Sequence, residues 1–139
     1  MANVSSGSCL CGAITYSYKD EPAVKALCYC GPCRKVSGGA NTVNFAVPEG
    51  NFTLESGQPK TYAADHEWGM VLTLFFCSEC GNTLWKESTA PHFKGLKLVQ
   101  AGTLTDAKKI CGPVQAEFYA PERADWLSPL ANAAQKDDF

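Results

Sequence analysis

The chain has 139 residues, 45% hydrophobic and 19% charged, with a formal net charge of −2. A chain of this length fits one domain and buries roughly 68% of its unfolded surface, so neither a disordered segment nor a disulfide-dependent mini-protein is implied. The weak acidic balance gives no basic field for nucleic acid, and no stretch approaches the ~20 apolar residues that span a membrane.

The opening MANVSSGSCLCG has neither a basic n-region nor an apolar h-region. No signal peptide is expected there, and a reducing, cytoplasmic location follows. In that setting eight cysteines read as metal ligands or catalytic thiols, not as structural disulfides. Cys9 and Cys11 form a C-x-C pair. The next segment, AITYSY (13–18), sets Ile14, Tyr16 and Tyr18 against Ala13, Thr15 and Ser17, the period-two alternation of a half-buried strand.

CYCGPCRK (28–35) contains CGPC, a spacing used in thioredoxin-type disulfide exchange, but with a third cysteine, Cys28, two residues earlier. That exchange fold needs a βαβ pattern and a long helix after the motif. Here RKVSGGAN reaches Gly38 and Gly39 within a few residues, leaving room for one helical turn. MVLTLFF (70–76), LKLVQAG (96–102) and VQAEFYA (114–120) read as further strands. Turn signals recur at VPEGN (47–51), ESGQPK (55–60), CGN (80–82) and APHFKG (90–95). ERADWLSPLANAAQ (122–135) has room for one short helical piece broken near Pro129, and the tail QKDDF reads as solvated or frayed. The pattern describes an all-β domain with short helical turns over residues 1–139.

Cys77 and Cys80 form C-x-x-C, with Gly81 free to adopt positive φ and admit backbone N–H groups to a sulfur. Two C-x(1–2)-C pairs supply the four ligands of a closed structural zinc site, so Cys9 and Cys11 are expected to join Cys77 and Cys80. Cys28, Cys30 and Cys33 remain. Three protein ligands with one open position is the pattern of a catalytic zinc. Cys111, His66 or His92 is available to close that site, although Cys111 alone reads as a small core residue.

GSCLCGAITYSY, CYCGPCRKVSGG, FFCSECGNTLW and AGTLTD, in this order, resemble the glutathione-dependent formaldehyde-activating enzyme family, which includes centromere-protein-V-like zinc proteins. The resemblance covers about residues 5–130. It implies a twisted, mostly antiparallel β-tent fold. It also implies the same partition of two zinc ions: Cys9, Cys11, Cys77 and Cys80 structural; Cys28, Cys30 and Cys33 catalytic. Many members carry histidine between the first two cysteines of the second cluster, where this chain has Tyr29.

Three thiolates leave a zinc ion with a net charge of −1, a weak Lewis acid suited to a sulfur ligand. The expected activity is therefore that of a zinc-dependent carbon–sulfur lyase, or of the thiol-adduct synthase that runs it backwards. Its partner is a small-molecule thiol adduct, with glutathione as co-substrate. Arg34 and Lys35 are candidate partners for a glutathione carboxylate. Ser37, Gly38 and Gly39 offer backbone N–H groups to an anion, and Asn44, Phe45 and Trp85 flank the cysteine motifs. Asp65, His66 and Glu67 are acid–base candidates. Two competing readings stand beside this one: a non-enzymatic, zinc-stabilised binding module, and the same zinc site turned to a specialised metabolite.

Overall fold

The computed structural model describes residues 3–139. The first strands are β1 (Val4–Ser8), β2 (Thr15–Lys19), β3 (Val24–Cys28), β4 (Thr42–Pro48), β5 (Phe52–Ser56) and β6 (Lys60–Asp65). They are followed by β7 (Val71–Phe76), β8 (Thr83–Ser88), β9 (Leu96–Gln100), β10 (Ala116–Phe118) and β11 (Ala134–Gln135). A small sheet has the order β1-β2-β5, and a large one runs β11-β10-β3-β4-β9-β8-β7-β6. All pairings are antiparallel except those of β10 with β3 and with β11.

The alternation read in AITYSY places the small sheet. Ile14, Tyr16 and Tyr18 are all buried, in one cluster with Phe45, Val47, Trp85 and Val99 from the large sheet. Tyr16 stacks on Phe52 at 5.4 Å within the small sheet, and Phe52 meets Trp85 of the large sheet at 4.8 Å, so aromatic contact joins the two layers. Because side chains alternate along a strand, β4 sends Phe45 and Val47 into this core and Asn44 and Ala46 to the opposite face. That second face carries the cavity described below.

Helix α1 (Gly31–Ser37) follows β3 directly. Cys30 is its N-cap, Pro32 sits in its first turn, and Gly38 closes it at φ 66°. Seven residues make nearly two turns, one more than expected, because the helix starts before Cys33 and not after it.

The C-terminal part departs from the sequence expectation. Residues 122–135 hold no α-helix; a 3-10 turn at Ala120–Glu122 is followed by irregular chain with two further turns and then β11. The tail is not frayed: Lys136 N–H donates to Glu117 O at 2.9 Å, Ala120 N–H donates to Lys136 O at 2.9 Å, and Phe139 packs on Phe93, Phe118 and Tyr119 and on two histidines, His66 and His92. The anchor is Glu117, which is fully buried. Its carboxylate accepts from Tyr29 Oη at 2.5 Å, Arg123 Nη2 at 3.1 Å, Leu130 N at 2.9 Å and Gln135 Nε2 at 2.6 Å. A segment whose N–H groups serve this carboxylate gains more than a lone helical turn interrupted by proline.

Burial alone would raise the Glu117 carboxyl, but these hydrogen bonds and the Arg123 charge outweigh it and hold it below its ordinary range. Its stabilisation is therefore fully present above the unfolded carboxylate pKa and is lost as pH falls through the lower, folded value. Glu117→Ala strands Arg123 and three further donors, and is expected to cost about 3–5 kcal/mol. Denaturant unfolding at neutral pH measures this; a midpoint equal to wild type contradicts it.

Candidate functional site

The three cysteine clusters sit at strand ends. Cys9 and Cys11 occupy the β1–β2 turn, and Cys77 and Cys80 the β7–β8 turn. Gly81 adopts φ 75°, Gly12 adopts φ 80°, and Glu79 N–H points at Cys77 Sγ from 3.4 Å. Ile14 N–H likewise points at Cys9 Sγ from 3.3 Å. The four sulfurs all lie within 4.8 Å of one another, Cys9–Cys11 and Cys11–Cys77 each at 3.7 Å. A tetrahedron with ~2.3 Å zinc–sulfur bonds has edges of ~3.8 Å. A disulfide would hold its sulfurs at ~2 Å, and all eight cysteines are free. The backbone N–H groups of Asn82 and Cys11 lower Cys80 to about 6, a thiolate-favouring setting. This group fits a closed zinc site.

The second group is formed by Cys28 at the end of β3, Cys30 at the helix cap and Cys33 inside α1. All three are buried and their sulfurs lie within 4.8 Å of one another. Hydrogen bonds to Cys30 and Cys33 push the Cys28 thiol far up. Hydrogen bonds from Cys28 and Cys30, helped by the Lys86 ammonium, hold Cys33 far below its ordinary value. Lys86 Nζ lies 3.4 Å from Cys33 Sγ and 3.2 Å from Thr42 Oγ1. The residue is 2% exposed, and among the described residues no carboxylate forms an ion pair with it. A buried cation needs a counter-charge. Three thiolates around a divalent ion carry a net −1, which one ammonium balances. The donor set therefore fits zinc with one position left for a further ligand.

His66 comes closest to closing the group, with Nε2 3.5 Å from Cys30 Sγ. Its Nδ1 accepts the Glu67 N–H at 2.8 Å, so the neutral ring carries its proton on Nε2 and aims it at the sulfur. In this arrangement His66 is a donor to Cys30, not a fourth ligand. Glu67 accepts from Tyr119 Oη at 3.0 Å and is otherwise exposed, as is Asp65. His92 packs on Phe93 and Phe139. Cys111 is exposed beside Lys108 and Gly112, so it is neither core residue nor ligand.

The three thiols face a cavity of about 540 Å³, mouth included, on the second face of the large sheet. Of the proposed substrate contacts, only Asn44 lines it. Asn44 is held by Thr42 Oγ1 at 3.0 Å and Gln100 Nε2 at 3.0 Å. Arg34 is exposed on α1 and pairs with Glu122 at 3.9 Å. Lys35 borders a separate depression with Pro32 and Tyr62. Ser37 Oγ accepts Gly39 N–H at 2.9 Å, and Ser37, Gly38 and Gly39 are exposed after the helix. Phe45 and Trp85 belong to the inter-sheet core. Lys86 went unseen in the sequence because a lysine in WKES reads as a solvated charge; its place on β8 directly after the buried Leu84 and Trp85 was the signal.

Fold and site together define a class: a mostly antiparallel β protein in which two cysteine clusters are arranged as metal-ion sites, the second opening onto a cavity. The chain belongs to the glutathione-dependent formaldehyde-activating enzyme family, whose profile matches residues 4–122. Among solved structures it is similar to a Rhodobacter sphaeroides protein at 17% identity, with a TM-score of 0.58, covering 78% of this chain and 96% of that one. That likeness concerns the fold. No curated protein matches the chain. No helix among the described residues is long and apolar enough to cross a membrane.

Proposed function

We propose that this chain makes or breaks the carbon–sulfur bond of an adduct of glutathione or a related thiol, as a zinc-dependent carbon–sulfur lyase or the reverse synthase. Cys28, Cys30 and Cys33 would hold the catalytic ion, and Cys9, Cys11, Cys77 and Cys80 a structural one. The observation that carries the reading is a buried trio of thiols, balanced by Lys86 and open to a cavity, with no fourth donor in the group among the described residues. A bound zinc would supply a thiolate at neutral pH by lowering the pKa of a thiol ligand.

The chain's own residues do the rest. In the synthetic direction a thiol S–H and a carbonyl C=O become S–C–O–H: a C–S bond forms, the C=O π pair moves to oxygen, and the thiol proton ends on that oxygen. The lyase direction reverses each change, so no oxidant is needed. His66 lies on the cavity wall, and its Nε2–H is placed to donate to that oxygen, the thiol proton then returning to the same nitrogen. Lys86 offsets the sulfur charge from behind Cys33. Apolar walls keep water from competing for the carbon.

Zinc-edge absorption of the two-zinc protein, with and without glutathione, tests the reading. The average number of sulfur neighbours per zinc is expected to rise on addition. Four protein ligands at both ions, with no added sulfur, would reject it in favour of the binding module.

A further inference from the structure

The cavity in front of the cysteine trio has two unlike kinds of wall. With the thiols stand Lys86, Asn44 and His66, whose polar atoms already have partners in Cys33, Thr42, Gln100, Cys30 and Glu67 N–H. The rest of the lining is mostly hydrocarbon: Met70, Leu72, Leu98, Phe93, Phe118 and Phe139, the last two also packing against the cysteine cluster. Among the described residues, the buried side-chain polar atoms without a partner are Trp85 Nε1 and Arg123 Nε, and neither residue lines the cavity. Beyond the thiols, Lys86, Asn44, His66 and Ser88, the lining offers no polar side chain to a substituent. It does offer burial to hydrocarbon.

The space is also narrow. The centre of a water-sized sphere has about 40 Å³ in which to move. Phe139 forms part of its limit. Its ring meets Phe93 edge-on at 5.2 Å, Phe118 at 5.8 Å and Tyr119 at 5.1 Å, and tilts on His66 at 5.4 Å. The backbone that presents it is fixed by β11 pairing and by the Lys136 bonds to Glu117 and Ala120. This wall is therefore built, not a chance contact of a loose end.

We infer that the carbon half of the adduct bears an apolar alkyl or aryl group seated in this slot, and that Phe139 sets the size it accepts. The inference rests on the carbon–sulfur reading above, because it places the sulfur at the cysteine trio and the substituent beyond it. Phe139 is then a specificity-determining residue.

Calorimetric titration of the zinc-loaded full chain tests this with two probe series. One is S-methyl-, S-propyl-, S-hexyl- and S-benzylglutathione; the other is ethanethiol, butanethiol, hexanethiol and benzyl mercaptan. Each methylene that enters the slot should tighten binding about fourfold, from ~0.8 kcal/mol per buried CH₂, until the slot is full. Phe139→Ala should move the plateau to longer chains and cut the preference for benzyl over the shortest probe by about 2- to 12-fold. Phe139→Leu, which keeps an apolar wall, should fall between. A rise with chain length in the simple thiols only, with no binding of glutathione conjugates, supports the slot and rejects glutathione as the thiol. Affinity independent of chain length in both series overturns the slot, whatever the zinc-edge spectra give. A Phe139→Ala protein with the wild-type plateau and preference overturns the assignment of Phe139.

Discussion

Cys77→Ser is expected to leave no stably folded protein, even though it changes one atom in a turn. Cys77 Sγ lies 3.7 Å from Cys11 Sγ, and through it the β7–β8 turn of the large sheet meets the β1–β2 turn of the small one. Besides the sulfurs, that end is held by the Leu10 N–H bond to Asn82 Oδ1 at 3.0 Å, the Thr105 N–H bond to Ser6 O at 2.9 Å and the bridge from Gly7 to Leu104. The aromatic core lies behind the turns, and Cys9 and Cys77 belong to it. Structural zinc binding is worth about 10–16 kcal/mol in small peptides at neutral pH, whereas a domain of ordinary stability has about 5–15 kcal/mol in total. A serine oxygen is a poorer partner for an ion held by three other thiolates. The expected result is aggregation on expression, or a protein without a cooperative thermal transition. Chelator titration of the wild-type chain should reproduce the loss. Soluble Cys77→Ser protein melting like wild type would refute the structural role of this group.

Much of this was readable in the amino-acid order because the relevant geometry is local. A C-x-C or C-x-x-C pair joined by a tight turn can aim two sulfurs at one point whatever the rest of the chain does, and Gly81 after Cys80 adopts the positive φ that the turn requires. Ile14, Tyr16 and Tyr18 likewise mark their buried face through spacing alone. What escaped is what long-range pairing decides. Lys86 becomes buried because β8 lies between β7 and β9 with its Nζ directed at the end of a helix more than fifty residues earlier. Glu117 gathers four donors from residues 29, 123, 130 and 135, none of which a local window connects to it. Phe139 ends a stretch of charged residues that local composition assigns to solvent, but β11 pairing carries it to the cavity. Arg34 and Lys35 show the reverse error. Adjacency to Cys33 suggested a shared site, yet on a helix consecutive residues point about 100° apart, so burying Cys33 turns its neighbours outward.

The three-cysteine group should behave in the opposite way to the four-cysteine one. Cys28→Ala is expected to fold, because its sulfur faces a cavity and the inter-sheet core and the Cys77 clip are elsewhere. Removal of a small buried side-chain atom costs a few kcal/mol at most. The zinc content should fall from two ions per chain towards one, since two thiolates hold the ion poorly. Thiol-dependent carbon–sulfur turnover should disappear with it. Lys86→Met separates charge from ligation. It keeps the three sulfurs and much of the side-chain volume but removes the ammonium 3.4 Å from Cys33 Sγ. Loss of such a supporting group should weaken the second ion about 10- to 100-fold, leaving the structural ion in place. The two variants thus differ in a measurable way. In Cys28→Ala excess zinc should restore neither the second ion's sulfur count nor turnover, whereas in Lys86→Met excess zinc should restore the sulfur count. Competition with a chromogenic chelator gives the affinities, and metal analysis after gel filtration gives the stoichiometry. If Cys28→Ala retains two tightly held zinc ions and wild-type turnover, the three cysteines are not the catalytic site. In that case both the lyase reading and the cavity's role in it fall.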